Sequence, residues 1–207
     1  MVNMFDSGIS VVNLIEELKN TEVDIALEIP DKTYAEWIDS LHQLLYTEVI
    51  KEQKKVTITG IMQSPIKISA IGVDSKENTP RFEDIHAIYA DDVQLIKSTV
   101  TSGVVFPNTF YKDNNDIGYN TKKVPAKITI VYIVKPALIP ISTSGKVNEA
   151  NVMVPIEFID LVKAKLRGEA YKLANEDNIA AKWLNDYNIL LETFKAWIAE
   201  KTSNFGM

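Results

Sequence analysis

Apolar residues recur along the first fifty positions at the spacing of an α-helix. Val11, Leu14, Ile15 and Leu18 share one helical face, with Ser10 placed to cap the first turn. After Pro30, Asp31 is a second candidate N-cap. Beyond it Tyr34, Trp37, Ile38, Leu41, Leu44, Leu45 and Val49 trace the stripe of a helix of about five turns, running to about Lys54. His42 falls opposite that stripe and is expected at the surface.

At Val56 the period shortens to two. The segments Val56–Ile61 (VTITGI) and Ile66–Ile71 (IKISAI) alternate as half-buried strands do, with Ser64-Pro65 as the turn between them. Two further hairpins are predicted. Ile85–Tyr89 and Val93–Ser98 flank Ala90-Asp91-Asp92, while Thr109–Lys112 and Ile117–Asn120 flank Asp113–Asp116. Asp and Asn suit both reversals because they tolerate the left-handed backbone of a tight turn. Ile128–Val134 (ITIVYIV) is apolar on both faces and is expected as the central strand of this sheet.

A loop rich in Pro, Ser and Gly (Pro136–Asn151) leads to a helix from about Pro155, with Phe158, Leu161, Val162, Leu166, Ala170 and Leu173 as its stripe. Ala174–Asp177 breaks it. A last helix then carries Ala180, Trp183, Leu184, Tyr187, Leu190, Leu191, Phe194, Trp197 and Ile198, spaced by alternating threes and fours, so the two helices should form an antiparallel hairpin. Trp37 and Trp183 are expected in the core. Trp197 lies beyond the expected reach of the partner helix and is read as an anchor for a neighbouring subunit. The predicted class is α+β: a bundle of two N-terminal and two C-terminal helices with an inserted antiparallel sheet. Its expected divisions are 1–54, 55–136 and 137–207.

Charge changes the picture more than composition does. The 207 residues are 46% hydrophobic and 24% charged, as in an ordinary globular chain. The net charge of −6 argues against a protein that grips nucleic acid broadly. From Met1 to Lys54 eleven acids face four lysines, a net of −7, and the remaining 17 acids and 18 bases give +1. With no cysteine there is no disulfide framework, thiol nucleophile or Cys-ligated zinc. The longest apolar runs are interrupted by Lys135 and Pro136, far short of the roughly 20 residues that span a bilayer. The opening MVNMFDSGIS has neither the basic flank nor the apolar core of an export signal, so synthesis in the cytoplasm is expected.

The candidate chemistry is thin. Ser144-Gly145-Lys146 lacks the upstream glycine of a P-loop, since Pro140 stands there, and Val147 replaces the needed Ser or Thr. His86 with Asp91 and Asp92 is a weak metal constellation, and Asp113–Asp116 lacks the glycine and distal glutamate of a calcium loop. No catalytic, metal or cofactor site is expected. Lys163, Lys165, Arg167 and Lys172 are read as a solvated or intersubunit face, with contact to DNA or an acidic partner as the sharper alternative.

One pattern is more informative. Pro155, Phe158, Glu169-Ala170-Tyr171, Asn175-Glu176-Asp177, Ala180-Ala181, Trp183, Tyr187, Leu191 and Phe194 follow one another in an order that resembles the head–tail connector (adaptor) proteins of tailed bacteriophages. Ile29–Gln53, built around Trp37-Ile38 and Leu41, is similar to the same family's N-terminal helix. The resemblance implies a non-enzymatic virion protein of the neck, made in the host cytoplasm. It implies a homo-oligomeric ring, usually of twelve copies, beneath the portal protein. That ring would extend the DNA channel, bind a downstream neck or tail protein, and pass DNA transiently without cofactor or membrane. The simplest adaptors are nearly all helical, so the β insertion carries no inherited role. On this reading Trp37, Leu41, Leu45, Tyr171, Trp183, Tyr187, Leu190, Phe194 and Trp197 serve bundle packing and oligomerisation. Lys201 and Phe205 contact the portal or a neighbour, and Glu16, Glu17 and Asp39 are channel-facing acids. The alternatives are another neck component, a stopper or tail terminator, and less favourably a nucleic-acid-binding module.

Overall fold

The computed structural model describes residues 5–21, 28–60, 64–72, 77–99 and 106–204, with side chains to Lys201. The fold is α+β. The chain divides into a helical unit, Met1–Ile50 with Leu138–Met207, and a sheet unit, Lys51–Ala137.

Among the described residues the helical unit holds α1 (Val11–Thr21), α2 (Asp31–Leu45), α3 (Ile159–Leu173) and α4 (Asp177–Asn204). Val11, Leu14, Ile15 and Leu18 of α1 are buried, as are Tyr34, Ile38, Leu41 and Leu45 of α2, so most of the helical stripes become core. Leu44 of α2 and Leu173 of α3, expected on their stripes, are exposed. Pro30, rather than Asp31, occupies the N-cap of α2, and its carbonyl accepts the Thr33 N–H at 2.9 Å. Asp31 instead holds Lys19 of α1 at 2.5 Å. A π-helical turn, Tyr46–Ile50, extends α2, which ends before the expected Lys54. Lys51 then adopts a left-handed backbone (φ 52°), and the Glu52 carbonyl accepts the Val134 N–H within the sheet unit.

The Pro/Ser/Gly-rich segment after the sheet is part of the core of the helical unit. Ile139, Val147, Val152 and Val154 are buried in the same cluster as the α1 and α2 stripes.

The sheet unit contains β1 (Gln53–Thr59), β2 (Ile85–Ala90), β3 (Val93–Lys97), β4 (Thr109–Asp113), β5 (Asp116–Asn120) and β6 (Lys127–Ile133), in the spatial order β1-β6-β2-β3-β4-β5. β6 is interior, with Val56 and Ile88 opposite Ile130 from its two sides. The expected hairpins form as β2–β3 and β4–β5. Asp91 (φ 45°) and Asp92 (φ 70°) make the first reversal, and Asn114 (φ 54°) serves the second.

Two expectations are corrected. The sheet is mixed, not antiparallel throughout, because β3 and β4 pair in parallel (Ile96 with Thr109, Lys97 with Phe110). A two-residue turn joins only antiparallel neighbours, and eleven residues, 98–108, separate these two strands in sequence. Ile66–Ile71 is not a strand. Only Ile66 bridges to Ile117, and Ile68–Ala70 forms a 3-10 turn. That turn buries Ile71 together with Ile66 and Ile68, whereas strict alternation would turn Ile71 to the opposite face.

Candidate interface on the C-terminal hairpin

α3 and α4 are joined by a tight left-handed cap. Asn175 sits at φ 61° while the Glu176 N–H donates to the Tyr171 carbonyl at 2.9 Å and the Asn175 N–H to the Lys172 carbonyl at 3.1 Å. This pairing satisfies the carbonyls that α3 would otherwise leave open, and it explains why the Asn-Glu-Asp break lies there. Gly168 lets the two helices approach closely. A β-carbon there would lie 2.7 Å from Leu184 Cδ2.

The hairpin has two flanks, because residues on either side of Gly168 diverge by about 100° per step. On one flank the Arg167 guanidinium lies 4.6 Å from the Trp183 ring. Asp160, Ala164, Arg167, Trp183, Asp186, Ile189 and Leu190 line a groove of about 490 Å³ there. Asp160 and Asp186 form no ion pair among the described residues, and Ile189 is 60% exposed. On the other flank Lys165 Nζ lies 5.3 Å from the Tyr187 ring and pairs with Glu169 at 2.6 Å. Leu184 and Leu191 are half-buried there, and Lys195 pairs with Glu192 at 2.7 Å.

The basic residues of α3 therefore do not act as one face. Lys163 reaches α1, pairing with Glu17 at 2.6 Å. Lys165 and Arg167 take opposite flanks. Lys172 alone of the four is exposed.

The residues expected to pack the bundle fall into two groups. Leu41, Leu45, Tyr187 and Phe194 are buried, whereas Trp37, Tyr171, Trp183, Leu190 and Trp197 are half-buried. Trp197 is corrected from a free anchor to an internal contact. Its ring meets Phe158 at 5.4 Å and Phe194 at 6.1 Å, because the antiparallel hairpin brings the start of α3 alongside the second half of α4. Lys201 Nζ lies 5.4 Å from the same ring. Phe205 lies outside the described residues.

Glu16 and Glu17 are exposed on α1. Asp39 is half-buried and bonded within its own chain. Its Oδ1 and Oδ2 accept the Ile139 N–H at 3.0 and 3.2 Å. Burial pushes its carboxyl up to about 6, against the pull of that N–H and with a further rise from neighbouring Glu36. His42, expected at the surface, is 1% exposed, and its Nε2 accepts the Met153 N–H at 3.0 Å. The neutral ring must then carry its proton on Nδ1, and burial pushes its pKa down to about 4. Asp39 and His42, one turn apart on α2, thus hold the two ends of the 139–153 segment by its backbone. No sequence signal announces this, because both partners are main-chain amides at least 100 residues away.

Among the described residues no group of three or more His, Cys, Asp or Glu side chains is placed to hold a metal, and no helix is long and apolar enough to cross a membrane. No protein-family model matches the chain, and no curated protein matches it.

Proposed function

We propose that this chain is a virion structural protein of a tailed bacteriophage, a head–tail connector adaptor. It forms a ring beneath the portal, extends the DNA channel and joins the capsid to the next neck or tail protein. One observation carries the reading. The two ends of the chain, residues 1–50 and 138–207, share a single helical core, and the sheet enters as an insertion between them. That is the arrangement the resemblance in Ile29–Gln53 and Pro155–Ile198 implies. In such a ring each copy presents one face to its neighbour and a different face to the next. The function is mechanical: assembly and conduction, with Glu16 of α1 exposed and Glu17 held by Lys163.

A second reading, a stopper or tail terminator, is favoured by the sheet unit, where Ile96 and Phe106 are 70% and 72% exposed. Co-expression with the portal protein followed by imaging separates the two. An adaptor forms a ring directly on the portal, whereas a stopper or terminator binds only once an intermediate neck protein is added. A protein that stays monomeric with the portal alone contradicts the adaptor reading, and one that stays monomeric with the intermediate neck protein also present contradicts both.

A further inference from the structure

We draw no further inference here: the strongest candidate, the cavity of about 480 Å³ in the sheet unit lined by Arg81, Phe82, Glu83, Lys112 and Asp116, has its lysine and both carboxylates engaged within the chain, Lys112 with Glu83 at 2.8 Å and Asp116 with the Ile68 N–H at 3.1 Å, and nothing in the structure shows what would occupy it.

Discussion

Gly168 of α3 lies so close to Leu184 of α4 that any β-carbon there would overlap the leucine side chain, at 2.7 Å from Cδ2 and 2.8 Å from Cγ. A mid-helix glycine ordinarily costs about 1 kcal/mol relative to alanine. Here the absent β-carbon sets the spacing of the hairpin and hence both of its flanks.

Gly168→Ala should therefore destabilise the protein despite its better helix propensity. Overpacking of about 1–3 kcal/mol exceeds the propensity gain. Combining it with Leu184→Ala should cost clearly less than the sum of the two single changes, as measured by urea denaturation in a double-mutant cycle. Additive effects would mean that the two residues do not meet.

The aromatic cluster separates stability from assembly. Phe194 is fully buried, 4.9 Å from the Phe158 ring, so Phe194→Ala should cost about 3–5 kcal/mol. Leu190 is only half-buried in the groove wall, so Leu190→Ala should fall below the roughly 2–5 kcal/mol of a core leucine. Thermal unfolding of the two variants checks the order.

His42 makes stability depend on pH. Its folded pKa of about 4 lies below the unfolded value of 6.5, so the unfolded chain gains a proton that the folded chain refuses. The group contributes no pH dependence above about 6.5. Stability then falls as the pH drops from there to about 4, by up to about 3 kcal/mol. Chemical denaturation of His42→Gln over the same range should show a flatter profile. An unchanged slope would place the acid sensitivity elsewhere.

Asp39 acts with the opposite sign. Its carboxyl is raised from 3.8 to about 6, so the folded chain binds the proton more tightly and stability from this group rises as the pH falls from about 6 to 4. Asp39→Asn keeps an oxygen to accept the Ile139 N–H and removes the half-buried charge. It should stabilise the protein at pH 7.5 by about 1 kcal/mol, discounted for partial solvation, and lose the advantage near pH 4. Destabilisation at pH 7.5 would mean that the charge strengthens the Ile139 contact more than its burial costs.

Much of this architecture was legible in the residue pattern, and the exceptions share a cause. The stripes of α1, α2 and α4 are read directly because helix burial repeats every three to four residues. The β2–β3 and β4–β5 hairpins are read from Asp91-Asp92 and Asn114, whose turn geometry is local. His42 was misplaced because its partner, the Met153 amide, lies 111 residues away. Trp197 packs internally because the antiparallel hairpin carries Phe158 alongside the second half of α4, a tertiary contact that helical spacing does not report. The parallel pairing of β3 with β4 is a tertiary contact with no local turn signal of the kind that marks the hairpins. The flanks of the hairpin became visible only when Gly168 fixed which sides of α3 and α4 face each other. Long-range partners and helix rotation are therefore what periodicity leaves open.

The most direct test of the central claim is the mass of the intact assembly formed with the portal, read by native mass spectrometry. A ring adds a fixed whole number of 23.2 kDa subunits to the portal, and twelve is the expected number. A portal that keeps its own mass, with this chain remaining at 23.2 kDa, would contradict the account.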